Sequence, residues 1–248
     1  MNHSPWLVTR PRERRPFRLY CFSYAGGSAS AYMPWQSLID PSVQICGVQL
    51  PGREGRMEEL PWTSMTAIVK AIADVISVQD PAPFALFGHS LGGFIAFEVA
   101  RELRRRQACA PSHLFLSGCV APQCLTSSRL HELSDNDLID ALREYNGTPE
   151  EILGNRPLMA FLLPTIRADS VLFAGYRFEA GPPLDMSMSI FAGKADPRVP
   201  VASAKAWSAH VCGDVDLCVF DGDHFFIRSE SVKVVNRISE TLRACCVR

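Results

Sequence analysis

Residues 87–93 read Phe-Gly-His-Ser-Leu-Gly-Gly and contain a G-x-S-x-G pattern centred on Ser90. An apolar run at residues 84–87 comes directly before this serine, and a helical pattern extends from about Leu91 to Gln107. This order predicts a tight turn from a strand into a helix, with the serine hydroxyl exposed at the end of a sheet. Small glycines allow such a turn to close. We therefore take Ser90 as the candidate nucleophile; the alternative is a glycine-rich turn with an incidental serine.

Apolar runs of strand character alternate with helical patterns along most of the chain. The predicted strands are residues 6–8, 17–22, 43–48, 84–87, 114–116, 187–192 and 215–220. The main predicted helices outside the middle of the chain are residues 30–39, 65–76, 91–107, 202–209 and 230–242. This alternation predicts an α/β fold in a single domain, residues 1–248, with a mostly parallel central sheet and helices on both faces. Ligands bind such sheets beyond the carboxyl ends of the strands, where we expect Ala25, Ser90 and Asp196.

The alternation stops at about residues 124–184, a segment that we call the helical insert. Ser134 and Thr148-Pro149 mark two helix starts, and a longer helix is predicted from residue 157 or 158 to about residue 176. Pro164 lies inside this longer helix and predicts a kink. Because the insert is apolar and interrupts the sheet, we interpret it as a lid over the active site. The competing interpretation is an ordinary helical layer packed on the sheet.

Serine catalysis needs an imidazole that takes the hydroxyl proton and a carboxylate that orients the imidazole. Of the six histidines, only His224 lies in a glycine-containing loop after the last predicted strand. Asp196 follows the penultimate strand and preserves a chain order of serine, acid and histidine. We predict His224 as the base and Asp196 as the acid, and we interpret His89 as structural. The competing carboxylates lie in or beside turns: Asp214, Asp216, Asp221 and Asp223.

The same chemistry needs two backbone N–H groups that stabilise the developing oxyanion. One is expected from Leu91, the residue after the nucleophile. The other is expected from residues 23–28, a glycine-rich loop that follows the predicted strand at 17–22. In this loop, Ala25 is the first candidate and Gly26 the second.

Bulk properties exclude several classes of function. The formal net charge is −1, which gives no electrostatic reason to expect a nucleic-acid partner. We find no uninterrupted apolar run near the roughly 20 residues of a membrane span, and residues 1–16 lack the apolar core of a secretory signal. The nine cysteines form no C-x-x-C pair, so we expect no zinc site. We therefore expect a cytoplasmic protein without a metal or a membrane partner.

Five segments together resemble the type II thioesterases, stand-alone α/β-hydrolases that accompany polyketide synthases and nonribosomal peptide synthetases. They read Tyr-Ala-Gly-Gly-Ser-Ala at 24–29, Leu-Pro-Gly-Arg-Glu at 50–54, Gly-His-Ser-Leu-Gly-Gly at 88–93, Leu-Pro-Thr-Ile-Arg-Ala-Asp at 163–169, and Gly-Asp-His-Phe-Phe at 222–226. The resemblance extends from about Arg18 to Leu242. The segment at 163–169 falls in the lid helices of that family.

The resemblance implies the α/β-hydrolase fold and hydrolysis of acyl groups from the phosphopantetheine arm of carrier proteins. In this family the task is to remove aberrant or stalled acyl units, or to release starter units or products. No cofactor is implied, because the phosphopantetheine belongs to the acyl-loaded carrier protein. Two other functions remain open: a general carboxylesterase or acyl-CoA thioesterase with the same triad, and a non-catalytic binding module on a hydrolase scaffold.

Two groups of charged residues each allow two interpretations. Arg53 and Glu54 follow a predicted strand and are either close to the site or part of a structural salt bridge, which we favour. Arg101 and residues 104–106 form a basic cluster at the end of a helix. This cluster is either a docking patch for acidic carrier proteins or, as we favour, a solvated helix end whose charge complements the helix dipole.

Overall fold

A computed structural model describes residues 4–10, 15–126 and 128–246. Within these residues, seven strands form one sheet in the order β1-β3-β2-β4-β5-β6-β7. The strands are β1 Leu7–Val8, β2 Phe17–Phe22, β3 Val43–Val48, β4 Phe84–His89, β5 His113–Ser117, β6 Ser187–Gly193 and β7 Val215–Phe220. β1 pairs antiparallel with β3, and every other neighbouring pair is parallel. The predicted mostly parallel sheet is therefore confirmed.

The helices are α1 Met65–Ser77, α2 Leu91–Arg105, α3 Asp135–Glu144, α4 Glu150–Leu153, α5 Arg156–Gly175, α6 Val201–Lys205, α7 Phe226–Ser229 and α8 Ser231–Cys246. Side-chain caps explain where several of them begin. The hydroxyl oxygen of Ser64 accepts a hydrogen bond from Ala67 N–H at 3.3 Å, and that of Ser134 accepts one from Asp137 N–H at 3.2 Å. These contacts confirm the helix start at Ser134 and identify Ser64 as the cap of α1.

The sheet separates two apolar layers, as its alternating side chains require. Along β2, Tyr20 and Phe22 pack in one layer with α1 and α2, whereas Leu19 and Cys21 pack in the other layer with α8. All four side chains are almost completely buried. Helices thus cover both faces of the sheet, which confirms the α/β-hydrolase architecture.

Two predicted helices differ in the structure. Residues Ala29–Ser37 form a 3-10 helix instead of an α-helix over 30–39, and Pro34 inside it lacks the N–H that a regular α-helix needs. The helix predicted at 202–209 is divided into α6 and a 3-10 helix, Ala206–His210. The predicted long helix is confirmed as α5, which has 20 residues and contains Pro164; the kink at Pro164 stays a prediction.

Helices α3, α4 and α5 lie between β5 and β6 in the chain and share a small apolar cluster of their own. Its buried members are Leu138, Leu153, Met159, Leu163 and Ile166. By length and composition alone, α5 is long and apolar enough to cross a membrane. Two ion pairs on α5, Arg167–Asp135 and Asp169–Arg53, together with the burial of Leu172, are instead typical of a helix packed in a folded domain.

Candidate active site

Ser90 occupies the sharp turn between β4 and α2 and has backbone angles of φ 55° and ψ −120°. Such angles are unfavourable for a non-glycine residue and persist only where the surroundings enforce them. Ser90 N–H donates to the carbonyl of Ser117 at 2.8 Å. A Cβ atom at Gly88 would collide with the backbone of Gly92, and one at Gly92 would collide with the carbonyl of Phe22. The two glycines therefore allow the turn to close against β2.

His224 and Asp196 lie side by side at the carboxyl end of the sheet. Their atoms Nδ1 and Oδ2 are 2.7 Å apart, and both residues are buried. Burial by itself raises the pKa of the Asp196 carboxyl, but hydrogen bonds from His224 and from the N–H groups of Arg198 and Val199 outweigh burial and lower it. Asp196 is thus held as a carboxylate that accepts a hydrogen bond from the imidazole.

His89 lies beneath the turn, in line with its structural interpretation. Its Nδ1 is 2.9 Å from the hydroxyl oxygen of Ser117, and its ring centre is 5.1 Å from that of His224. Burial first, and then the neighbouring His224, lower the pKa of His89 well below its usual value. A neutral His89 therefore supports the site from below without adding a charge next to His224.

A cavity of about 260 Å³ opens above these residues. Ala25, Ser90, Leu91 and His224 all line it, so the structure places these predicted site residues around one space. Among the described residues, no hydrogen bond joins the Ser90 hydroxyl to His224, and such contacts are often long in unliganded enzymes. Six apolar side chains from the helical insert also line the cavity: Leu130, Leu142, Ile152, Leu162, Ile166 and Phe173.

The backbone N–H groups of the glycine-rich loop are not equally available. Gly26 N–H donates to Asp169 Oδ2 at 2.7 Å, and Gly27 N–H donates to the carbonyl of Tyr24 at 2.9 Å. Within the described part of the chain, Ala25 N–H has no hydrogen-bond acceptor. Leu91 opens α2, where N–H groups have no intrahelical acceptor. Of the two loop candidates, Ala25 therefore has the available donor.

Arg53 forms a buried ion pair with Asp169. Two hydrogen bonds of 2.8 Å join the guanidinium of Arg53 to the two carboxylate oxygens of Asp169. The exposed side-chain fractions are 8% and 0%. Glu54 accepts hydrogen bonds from the hydroxyls of Ser28 and Ser30. The salt-bridge interpretation of Arg53 thus agrees with the structure, although the pair also adjoins the cavity, which Asp169 lines.

The structure adds two residues that sequence reasoning did not select. The Tyr145 ring, just after α3, meets the His224 ring edge-on with their centres 6.1 Å apart. The guanidinium carbon of Arg198 lies 3.4 Å from the centre of the same tyrosine ring. Neither residue belongs to a local motif; the only sequence signal is that Arg198 follows the candidate acid by two positions.

The basic cluster at the end of α2 is engaged within the chain. Arg101 binds Glu98 and the carbonyl of Glu179, and Arg104 binds the carbonyls of two prolines, 182 and 183. Residues 105 and 106 both pair with Glu102. These contacts favour a structural role for the cluster.

Comparisons with known proteins agree with this geometry. The family described as the thioesterase domain matches residues 17–242. The gramicidin S biosynthesis protein GrsT of Aneurinibacillus migulanus is 37% identical over 97% of this chain and 94% of that protein. The thioesterase PikA5 of Streptomyces venezuelae is 31% identical over 94% of this chain and 83% of that protein.

Solved structures show the same similarity over nearly the full length. The type II thioesterase BorB from the borrelidin biosynthetic cluster superimposes with a TM-score of 0.88 at 32% identity, covering 97% of this chain and 99% of that chain. RedJ, a thioesterase of the prodiginine pathway in Streptomyces coelicolor, gives a TM-score of 0.85 at 34% identity, covering 91% and 90%. Sequence and structure together establish that this chain belongs to the thioesterase family.

Proposed function

We propose that this chain hydrolyses acyl thioesters carried on the phosphopantetheine arm of a carrier protein in polyketide or nonribosomal peptide biosynthesis. The observation that carries the proposal is the hydrogen-bonded pair of His224 and Asp196, which shares one cavity with Ser90. The substrate class is supported by relatives whose names refer to gramicidin S and borrelidin biosynthesis.

Acylation begins with proton transfer from Ser90. The hydrogen bond from His224 Nδ1–H to Asp196 selects the tautomer in which Nε2 is free to accept the serine proton. The serine oxygen then attacks the thioester carbonyl carbon. The N–H groups of Ala25 and Leu91 bind the negative charge that develops on the carbonyl oxygen, and each such donor typically contributes about 3 kcal/mol to the lowering of the barrier.

Collapse of the tetrahedral intermediate breaks the carbon–sulfur bond, and the imidazolium of His224 gives its proton to the departing pantetheine thiolate. The carrier protein leaves with a free thiol, and the acyl group remains as an ester on Ser90. His224 then takes a proton from water, the hydroxide attacks the ester, and the acid product leaves as the serine oxygen regains its proton. This sequence needs no metal and no redox cofactor.

The helical insert is proposed to act as a lid within a single domain. Its apolar side chains line the cavity next to Ser90, which suits an acyl chain better than a charged group. Tyr145 reaches from the insert to His224, so the insert also contacts the proposed base. We further propose that the enzyme acts in the cytoplasm, together with the synthase that loads the carrier protein.

A comparison of substrates tests this function. Purified enzyme is assayed with one acyl group presented as acyl-carrier protein, acyl-CoA and p-nitrophenyl ester, with Ser90→Ala as the control. We expect the highest kcat/KM for the acyl-carrier protein and a loss of activity in the control. A preference for the simple ester would support the carboxylesterase alternative, and a Ser90→Ala variant that kept full biological activity without turnover would support a non-catalytic binding module.

A further inference from the structure

One buried carboxylate joins three parts of the chain that are distant in sequence. Asp169 lies in α5, Arg53 follows β3 at a distance of 116 positions, and Gly26 is 143 positions away in the glycine-rich loop. Oδ2 of Asp169 accepts hydrogen bonds from both Arg53 Nη1 and Gly26 N–H. Oδ1 accepts from Arg53 Nη2. The carboxylate is therefore bound by a side chain and by the loop backbone at once.

Stability alone gives a weak account of this arrangement. Removing two charges from water is costly, and a buried ion pair recovers that cost only with excellent geometry. The two parallel hydrogen bonds of Arg53 provide such geometry, because the planar guanidinium matches the carboxylate. Besides balancing charge, the pair of Arg53 and Asp169 fixes the position of the backbone groups that are hydrogen-bonded to it.

These backbone groups belong to two consecutive residues of the glycine-rich loop. Asp169 holds the N–H of Gly26, and Arg53 Nη1 donates to the carbonyl of Gly27 at 3.0 Å. Gly26 has φ +73°, in the left-handed region, and a Cβ there would press on Ile166 of α5. The loop is thus anchored immediately after Ala25, the residue whose own N–H stays available.

We propose that Arg53 and Asp169 are positioning residues that hold the loop so that Ala25 N–H meets the oxyanion. The inference rests on the proposed function, since it presupposes an acyl-transfer reaction at Ser90. Because Asp169 belongs to the helical insert, the pair also links the position of α5 to the shape of the oxyanion hole. A shift of α5 away from the loop would therefore weaken catalysis without touching the triad.

Substitution of the two charged residues tests this role. Asp169→Asn keeps the size of the side chain but removes the charge that binds Arg53. We expect kcat to fall about 10- to 100-fold while KM changes less than about threefold, because a misplaced donor weakens binding of the transition state more than that of the substrate. Arg53→Lys retains the positive charge and is expected to lose less of kcat than Arg53→Gln does.

A second variant tests whether the loss of any ion pair lowers kcat. Asp216→Asn breaks the ion pair between Asp216 of β7 and Arg237, in which Oδ2 and Nη2 are 2.6 Å apart. Neither residue lines the cavity. We expect this variant to keep kcat within about twofold. A folded Asp169→Asn enzyme with wild-type kcat, or with a change in KM alone, would overturn the proposal.

A measurement on the wild-type protein covers the case in which Asp169→Asn does not fold. Amide hydrogen exchange followed by NMR should show that Gly26 N–H is protected, because its acceptor is a buried carboxylate. Exchange as fast as in an exposed loop would contradict the anchor. If wild-type enzyme fails to hydrolyse any thioester, the proposed function fails, whereas protection of Gly26 still reports the anchor itself.

Discussion

The site depends on one side-chain contact, the 2.7 Å hydrogen bond between His224 and Asp196. In the proposed mechanism, this contact selects the ring nitrogen that accepts the serine proton and stabilises the imidazolium that would form when Ser90 loses it. Burial opposes ionisation of Asp196, but the hydrogen bond from His224 and, to a smaller extent, those from the backbone N–H groups of Arg198 and Val199 keep its pKa below the usual value. The acid is therefore favoured in its carboxylate form, which can accept the hydrogen bond from the imidazole.

Asp196→Asn should retain the fold but lose most of its activity. The amide preserves the shape of the side chain but favours the wrong tautomer of His224, so we expect kcat to fall by about 10³- to 10⁴-fold. Steady-state kinetics with an acyl-carrier substrate measure this loss. Asp221→Asn is the control, because Asp221 is an exposed carboxylate in the loop before His224. Equal losses in both variants would contradict the assignment of the acid.

At the scale of elements, a contact could be predicted from the sequence when its two residues lie close together in the chain. Ser64 and Ser134 cap helices through neighbours three positions away, and such local signals are readable from sequence. The turn at Ser90 was predictable for the same reason. The contact of Asp169 with Arg53 spans 116 positions, and only folding brings the two residues together. Likewise, the sequence alone left both Ala25 and Gly26 as candidate oxyanion donors. The residue that accepts the Gly26 N–H hydrogen bond, Asp169, lies 143 positions away in the chain.

The end of α2 provides a test of carrier-protein docking. Arg105 pairs with Glu102, and the rest of the basic cluster also has partners within the chain. We therefore expect Arg105→Glu to leave KM for the acyl-carrier protein within about twofold. Steady-state kinetics measure KM, and circular dichroism confirms folding. A tenfold increase in KM for the carrier substrate, without a change for acyl-CoA, would instead identify the cluster as a docking surface.

At the scale of the whole molecule, two buried histidines link folding to pH. Burial lowers the pKa of His113 to about 4, and burial also lowers that of His89, whereas an unfolded histidine titrates near 6.5. Between these pKa values the unfolded chain binds more protons than the folded one. Stability from these groups is therefore complete above pH 6.5 and decreases as the pH falls toward 4.

His113→Asn should reduce this pH dependence. The ring of His113 lies 2.9 Å from the hydroxyl of Ser189, between β5 and β6, and asparagine retains a polar group there without a titrating one. Each proton contributes a slope of about 1.4 kcal/mol per pH unit, so the variant should lose a slope of this size between pH 6 and 4.5. Urea unfolding at several pH values measures it, with His131→Asn in the helical insert as the control. An unchanged slope in His113→Asn would contradict the assignment.

The most direct test of the account is detection of the acyl-enzyme. Wild-type protein is mixed with acyl-loaded carrier protein, quenched within milliseconds to seconds, and analysed by mass spectrometry of the intact proteins and of the peptide that contains Ser90. The account predicts a transient acyl mass on Ser90, release of the carrier protein with a free thiol, and neither event in Ser90→Ala. Deacylation of the carrier protein that proceeds equally well in Ser90→Ala, or an acyl group found on another residue, would contradict it.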